Sequence, residues 1–309
     1  MIMEANLKLA ADAFERVPKD IAQSQALVRP SLTYWKDAWR RLKKNKVAMV
    51  CLVFIGLIAV IAIAGPIAFP NYRANNLEKT FAEPDSVNWF GTDDLGRDQF
   101  ARVLRGGRVS LFIGVTVSLI SLTIGIIYGG LSGYLGGWVD DLMMRIVDIL
   151  ITIPDMVILI LLLVVLDPGI GTLILAMSVT GWTGMARLVR GQVLQIKEAD
   201  FVLVSKVLGA GTFRIITRHL VPNAIGIIIV RLMMSIPGVI FSEAFLSYIG
   251  LGVRVPEASW GNLAEAGAQQ FPNHLYMFFI PAAFIMFTML AFNLFGDGLR
   301  DALDPKMRK

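Results

Sequence analysis

An uncharged run of 23 residues, from Val47 to Phe69, constrains the fold of this chain more than any other feature of its sequence. About 20 predominantly apolar residues are enough for an α-helix to cross the hydrocarbon core of a bilayer. Because lipid offers no hydrogen-bond partners, a spanning segment must pair its backbone groups internally, and a single helix does so. Hydrophobic residues make up 55% of the chain and charged residues 17%, whereas roughly a quarter of a soluble domain is charged. The sequence therefore predicts a helical integral membrane protein.

Further apolar runs predict an all-α, polytopic transmembrane bundle of about six spans. A charged segment at 188–222 interrupts these runs. We divide the chain into a cytoplasmic N-terminal tail with an amphipathic helix (1–46), a first span (47–69), an extracytoplasmic region (70–108), a transmembrane core (109–295) and a cytoplasmic tail (296–309). The core includes the charged segment 188–222 as a cytoplasmic coupling segment. The core spans are expected at 109–133, 142–166, 170–187, 223–246 and 275–295.

Basic residues set the expected orientation in the membrane. Five of them directly precede the first span, at Arg40, Arg41, Lys43, Lys44 and Lys46. Such a cluster can bind nucleic acid, but beside a span it favours an anchor that holds this end in the cytoplasm. Six spans then place both termini in the cytoplasm, so we expect a multi-pass protein of the cytoplasmic (inner) membrane. The region 70–108 departs from the rule with six basic residues, which six acidic residues accompany.

Residues just before the first span have an amphipathic pattern. Leu32, Trp35, Trp39 and Leu42 recur at helical spacing, and the neighbouring basic residues lie off that stripe. This pattern predicts a short helix on the membrane surface. A simple extension of the first span is the alternative.

Small residues recur every four positions around the second span, at Ser121, Gly125, Gly129, Gly133 and Gly137. On a helix they form one ridge of small side chains, which lets another helix approach closely. We predict helix packing along this ridge, within the chain or against a second subunit. Glycines that merely bend a helix end are the alternative.

The charged segment contains a second amphipathic pattern. Phe201, Val204 and Leu208 are spaced as one face of a helix, and the run from Gly209 to Gly211 should end it. Thr212 can cap a second short helix, which Pro222 should stop before the next span. A short helix held by a glycine turn between two spans can dock into a partner's groove. An ordinary loop between spans is the alternative.

Charged residues at membrane depth are costly and usually face a cavity or a partner. Asp148, Asp155, Arg231 and Glu243 are in this class, and Arg231 is expected near mid-span. Each could contact a solute, although pairing within the bundle is the alternative. The single cysteine and the two histidines lack the spacing of a metal site, and no catalytic grouping that would indicate a membrane-embedded enzyme stands out.

Seven runs along the chain resemble the oligopeptide/dipeptide permeases of ABC importers, and specifically the C-type subunit of an oligopeptide transporter. They are Phe90–Asp98, Leu131–Gly137, Ala186–Gln192, Arg218–Asn223, Phe245–Gly252, Ser259–Gly261 and Asn293–Pro305. The resemblance implies the type I ABC importer permease fold. It also implies that 198–222 is the cytoplasmic loop that such permeases present to their ATPases.

In that loop, Gly209 and Pro222 fall on the family's glycine and proline positions, whereas Leu203, Val204 and Ser205 stand where the family has Glu-Ala-Ala. The resemblance assigns ATPase coupling to Glu198, Ala199, Asp200, Phe201, Val204, Ser205, Lys206, Leu208, Gly209, Ala210 and Pro222. The charges at membrane depth, and not the resemblance, give Asp155, Arg231 and Glu243 as candidates for the translocation path.

The function implied is transport rather than catalysis. The chain has no Gly-x-x-x-x-Gly-Lys-Ser/Thr phosphate loop, so ATP and Mg²⁺ are expected on partner ATPase subunits and no cofactor on this chain. The implied partners are a second homologous permease, two ATPases, an extracytoplasmic peptide-binding protein and membrane lipid, with no nucleic acid. A permease for nickel or another small solute is one alternative. An ion-coupled secondary transporter is another, although no repeat relates 47–166 to 170–295.

Overall fold

The computed structural model describes residues 33–167 and 169–304, and these residues form helices and connecting segments apart from one isolated β-bridge between Thr92 and Asp98. Residues 1–32 of the predicted N-terminal tail, including Leu32, and residues 305–309 of the predicted C-terminal tail lie outside the described residues. Twelve α-helices follow one another in the described ranges: α1 (Tyr34–Lys44), α2 (Lys46–Ala68), α3 (Gln99–Leu135), α4 (Gly137–Thr152), α5 (Asp155–Val165), α6 (Ile170–Gly181), α7 (Thr183–Ile196), α8 (Asp200–Val207), α9 (Thr212–Ile215), α10 (Val221–Tyr248), α11 (Trp260–Gln269) and α12 (Leu275–Leu303).

The predicted membrane bundle is confirmed in its class and its number of spans. Five helical stretches in the described ranges are long and apolar enough to cross a membrane, and the bent pair of α4 and α5 makes a sixth if it counts as one span. The five are α2, α3, α6 with α7, α9 with α10, and α12.

The prediction of a continuous third span at 142–166 is wrong. Helices α4 and α5 meet at 80° across Ile153 and Pro154. Proline lacks a backbone N–H and disfavours the helical conformation in the residue before it, and Ile153 is accordingly extended, with φ −81° and ψ 127°. Beyond the bend, α5 buries Leu159 and Leu163 in a core cluster with α3 and α6.

Three helices are longer than the predicted spans. Helix α3 begins at Gln99 instead of 109, because the Asp98 carboxylate accepts hydrogen bonds from the N–H groups of Phe100 and Ala101 and so caps a basic first turn. Helix α7 runs to Ile196, past the expected end at 187, and α12 runs to Leu303, past 295. Each extension carries charged residues, which mark the edge of the apolar run but do not end the helix.

The predicted helix end at Pro222 is also wrong. One helical stretch of 37 residues runs from Thr212 to Tyr248, and it includes a π-helical turn at Ile216–Leu220, immediately before α10. In an α-helix, a proline ring collides with the carbonyl four residues earlier. The wider π turn moves that carbonyl, so Pro222 fits in the first turn of α10. Thr212 is the first helical residue and Gly211 precedes it, so the predicted cap lies one position too late.

The ridge of small residues packs against the last residue of α6 and against α7, as the sequence predicts. Ser121 faces Gly181, Gly125 faces Met185, and Gly129 lies against the backbone of Ala186. Gly133 continues the contact against Arg190 and Val193. Gly137 does not take part, because α3 ends at Leu135 and open space surrounds Gly137. The contact lies within one chain.

The spans define two ends of the molecule. Near one end, Gly298 of α12 lies against Asn45 and Ala48, and Gly226 of α10 lies against Tyr34 and Leu303. We call this the α1 end, and it also carries α8 and α9, which precede α10. The opposite end, which we call the α11 end, carries the segment 69–98 and α11. There Trp260 is buried over Gly107 and donates a hydrogen bond from Nε1 to the Val103 carbonyl, at 3.1 Å.

Candidate coupling segment and charged clusters

The segment from Lys197 to Ile215 begins with α8 and turns sharply at Gly209. The Ala210 N–H donates to the Ser205 carbonyl at 3.0 Å, and the Gly209 N–H donates to the Lys206 carbonyl at 2.9 Å. This pair of bonds is a Schellman motif, which needs a residue with positive φ after the helix. Gly209 supplies it, with φ +80°. The predicted helix and glycine break are therefore confirmed as local structure.

One face of this coupling segment is anchored on the bundle. Val202 is fully buried and joins Ile215 in a core cluster with α7 and α10. The Lys206 ammonium lies 5.0 Å from the centre of the Tyr134 ring, at the end of α3. The Lys197 ammonium donates to the Gly133 carbonyl at 3.1 Å. The segment is thus attached to the end of the small-residue ridge.

The other face of the coupling segment is apolar and exposed. Leu208 is 81% exposed and Phe213 is 78% exposed. The predicted stripe of Phe201, Val204 and Leu208 lies wholly on this face, since the first two residues are also exposed. Leu208 lies between two helical stretches that are long and apolar enough to span a membrane, and Phe213 lies in the first turn of the second.

The other residues predicted for coupling have smaller, local roles in the segment. Ala199 precedes α8, and its carbonyl accepts from the Val202 N–H at 2.9 Å. Ser205 donates to the Phe201 carbonyl at 2.7 Å. Glu198 and Asp200 are exposed beside the first turn, where acidic side chains favour a helix N-terminus.

A partly buried ion pair, which the sequence did not indicate, joins three helices behind the segment. Asp140 on α4 is buried and accepts two hydrogen bonds from the Arg190 guanidinium on α7, both at 2.6 Å. Ser132 on α3 donates to the same carboxylate. The bidentate geometry is the strong form of such a pair. Because Asp140 and Arg190 are 50 positions apart, no local pattern could have revealed it.

The three residues predicted for the translocation path lie in different places. Asp155 is exposed at the first position of α5, directly after the bend. Glu243 is fully buried and accepts hydrogen bonds from the hydroxyls of Ser110 and Ser247, at 2.9 and 2.8 Å. This placement of Glu243 agrees with the alternative of pairing within the bundle.

Arg231 is closer to the α1 end than its predicted mid-span depth. Its helix neighbour Met234 contacts Gly296 of α12, and Arg231 and Arg300 line one cavity. Arg300 is 25 positions beyond Leu275, or about 37 Å along the helix, which exceeds a hydrocarbon core of about 30 Å. The mid-span prediction counted from Asn223 as the start of the span, whereas Gly226, three residues further along α10, still lies beside Leu303 at the end of α12.

At the α11 end, two carboxylates organise the basic residues of the predicted extracytoplasmic region. Asp93 is buried with Arg97 and Arg102, and its carboxylate binds both guanidinium groups. It also accepts from the N–H of Arg97 at 2.9 Å and from that of Leu95 at 3.0 Å. The charges that violate the orientation rule are therefore part of a folded unit.

The second carboxylate is Glu257, which joins three segments. Arg105 donates to it from two nitrogens, at 3.0 and 2.8 Å, and Tyr72 donates at 3.1 Å. Arg73 also binds it. Burial pushes the pKa of Glu257 upward, but the hydrogen bonds and charge of Arg105, with help from Tyr72 and Arg73, outweigh burial and hold the pKa below its ordinary value.

The described residues contain no group of three or more His, Cys, Asp or Glu side chains that could hold a metal ion. The histidine and cysteine side chains, which lack the spacing of a metal site, have packing roles instead. His274 stacks on Phe81 with ring centres 4.9 Å apart, and Cys51 is buried in α2.

Comparison with known proteins agrees with this architecture. Residues 109–309 match the family described as binding-protein-dependent transport system inner membrane component, and residues 33–84 match the N-terminal transmembrane domain of oligopeptide transport permease C. A chain of the MetNI methionine ABC transporter, solved in inward-facing conformations, shares the fold with a TM-score of 0.53 at 18% identity, over 65% of this chain and 96% of that one.

Relatives match along almost the whole length. The chain is 50% identical over 289 residues to the dipeptide transport system permease protein DppC of Bacillus subtilis, covering 93% of this chain and 90% of the relative. It is 49% identical over 297 residues to the oligopeptide transport system permease protein OppC of the same organism, covering 96% and 97%. For OppC of Escherichia coli K12 the identity is 40% over 288 residues, covering 92% and 95%. The resemblance found in the sequence is thus confirmed, and the chain belongs to the family of binding-protein-dependent ABC importer permeases, as a non-catalytic membrane subunit of the OppC/DppC type.

Proposed function

We propose that this permease moves oligopeptides or dipeptides inward across the cytoplasmic membrane. It does so beside a second, homologous permease, driven by two ATPase subunits and supplied by an extracytoplasmic peptide-binding protein. ATP and Mg²⁺ are bound by the ATPases. Both termini and the coupling segment lie in the cytoplasm, and the α11 end lies outside. The observation that carries the proposal is the exposed apolar face of the coupling segment.

An exposed apolar face is unfavourable in water, because burying each Å² of apolar surface contributes about 25 cal/mol of favourable free energy. Contiguous patches of this kind mark interaction sites. Leu208 and Phe213 lie on either side of the Gly209 turn and are the most prominent members of the patch. A short helix with such a face fits an apolar groove on an ATPase. The family membership supports this choice of partner.

The contacts behind the segment supply a route for motion. Lys206 and Lys197 attach the segment to the end of α3, and α3 packs along α7 through the small-residue ridge. The pair of Arg190 and Asp140 then connects α7 to α4. Movement of a docked ATPase would therefore reach the bent pair of α4 and α5, where Asp155 is exposed beside a break that can act as a hinge.

The candidate path residues differ in their support. Asp155 is exposed at the bend, so it can meet a solute, whereas Arg231 lines a cavity near the α1 end together with Arg300. Glu243 is enclosed by Ser110 and Ser247, and we assign it to the packing of α3 against α10 instead.

The test is uptake by the reconstituted complex of both permeases, both ATPases and the binding protein in sealed vesicles. We expect labelled dipeptide or oligopeptide to accumulate only with ATP, and vanadate to stop it. Nickel uptake in place of peptide uptake would overturn the substrate class. Uptake that ignores ATP and collapses with the proton gradient would overturn the whole proposal and favour a secondary transporter.

A further inference from the structure

A cavity of about 440 Å³ opens at the α1 end, between α1, α7, α10 and α12. Arg231 and Arg300 line it from two different helices, and Gln192 and Asn223 add amide groups. Leu188 and Val230 are among its apolar walls. The cavity therefore combines two cations, hydrogen-bond donors and an apolar side.

The two arginines of this cavity have no ion-pair partner in the described part of the chain. Asp304 also lines the cavity, so two arginines face one carboxylate there. Elsewhere in the bundle Arg105 and Arg190 are paired, as charged residues of membrane helices usually are. The cavity consequently has an excess of positive charge.

The cavity lies at the level of lipid headgroups. Arg300 lies on α12 farther from Leu275 than the thickness of the hydrocarbon core. Gly298, also on α12, lies beside Asn45, which directly precedes the first residue of α2. Helix α1 borders the cavity through Tyr34. It exposes Trp35 and Trp39, and tryptophan is enriched where a bilayer meets water.

We propose that this cavity binds the phosphate headgroup of an anionic phospholipid. Arginine is suited to phosphate because its guanidinium donates several hydrogen bonds in a planar fork. Arg231 and Arg300 would contact the phosphate, the amides of Gln192 and Asn223 would contact its ester and headgroup oxygens, and the apolar wall would receive the start of an acyl chain. Basic pockets between membrane helices bind anionic lipids in this way. The inference requires only that the chain lies in a bilayer, and it does not depend on which solute is transported.

The test uses the intact, purified importer complex in neutral detergent, titrated with dioctanoyl phosphatidylglycerol and, separately, with dioctanoyl phosphatidylcholine. Native mass spectrometry counts the bound lipid. The wild type should retain phosphatidylglycerol selectively. The double variant Arg231→Gln/Arg300→Gln should bind it roughly thirtyfold more weakly, since each of the two cations contributes a factor of about five to six in affinity for an anionic surface.

A matched control removes the same charge at the same end without touching the cavity. Lys36 and Arg40 are exposed on α1 and do not line the cavity, so Lys36→Gln/Arg40→Gln should leave selective binding within about threefold of the wild type. Equal losses in the two double variants would show attraction by net charge only and would overturn the site.

Competition on the wild-type complex keeps the proposal testable if the cavity variant fails to assemble. Neither a dipeptide nor inorganic phosphate at millimolar concentration should displace the bound phosphatidylglycerol. Displacement by the dipeptide would identify the cavity as a solute station, displacement by phosphate would identify it as a site for a free anion, and equal retention of phosphatidylcholine would remove the charge argument. Each of these outcomes would overturn the lipid proposal while leaving the peptide-uptake test unaffected.

Discussion

Replacing Gly129 with alanine tests whether the packing of α3 on α7 depends on the small-residue ridge. A Cβ at this position would lie 3.0 Å from the Arg190 backbone nitrogen and 3.0 Å from the Ala186 carbonyl carbon, and closer still to the Ala186 carbonyl oxygen. Backbone atoms cannot rotate away as a side chain can, so the two helices must separate. We expect Gly129→Ala to lower the free energy of unfolding by about 1–3 kcal/mol, the usual cost of an overpacked contact.

A matched control is available on the partner helix. At Gly191 of α7 an added Cβ would meet no atom within 4 Å. Alanine is favoured over glycine in a helix by about 0.5–1 kcal/mol, so Gly191→Ala should leave stability unchanged or slightly raised. The two variants make the same chemical change and differ in the space that receives the methyl group.

The assay is thermal unfolding of both variants and the wild type in nanodiscs of one lipid composition. Gly129→Ala should lower the midpoint by roughly 2–12 °C, if each kcal/mol shifts it by about 2–4 °C. Because α3 and α7 also carry the coupling segment, ATPase activity and transport should become less tightly linked. Equal unfolding midpoints for Gly129→Ala and Gly191→Ala would refute the reasoning.

Three further predictions concern the turn at Gly209, the ion pair of Arg190 and Asp140, and the carboxylate of Glu257. Gly209→Pro should uncouple ATP hydrolysis from uptake, because proline cannot adopt φ +80°. The control Gly211→Pro, at a position where φ is −70°, should transport normally. Paired ATPase and uptake assays check both variants. Arg190→Gln should cost about 1–3 kcal/mol because Asp140 keeps a buried carboxylate without its cation, and adding Asp140→Asn should recover part of that loss in thermal unfolding. Burial raises the pKa of Glu257, but Arg105, Tyr72 and Arg73 outweigh it, so the pKa in the folded protein lies below the ordinary value of 4.5. The contact therefore stabilises the folded state fully above that ordinary value, and this stabilisation is lost as the pH falls through the folded pKa. Glu257→Gln should accordingly make the free energy of unfolding less dependent on pH on the acid side.

Local patterns in the sequence predicted what local chemistry decides. The Gly209 turn was predictable because a helix that ends in a Schellman motif needs a residue with positive φ, and glycine follows the apolar stripe there. The ridge was predictable because its spacing matches one face of a helix. The bend at Pro154 carried the same kind of signal, although the length of the surrounding apolar run favoured a continuous span.

Other features depend on residues that are far apart in the chain. The sequence shows an apolar stripe on α8 but cannot show that Val202 faces inward while Leu208 faces out. The depth of Arg231 follows from how α10 lies along α12, and it was misjudged because the count began at Asn223, whereas Gly226 still lies beside the end of α12. The contacts of Asp93, Asp140 and Glu257 were missed because charged residues near span ends are equally consistent with solvated loops.

The central claim is that the exposed face of the coupling segment docks on the ATPase subunits. It is tested most directly by the accessibility of a thiol at Leu208, which is 81% exposed in the permease. In a Cys51→Ala background, Leu208→Cys should react with a maleimide at least roughly tenfold more slowly in the complete complex than without ATPases, because a docked interface core excludes water. Leu77→Cys, at a position 72% exposed at the α11 end, should react equally in both. Equal reaction rates for Leu208→Cys with and without the ATPases would contradict the claim.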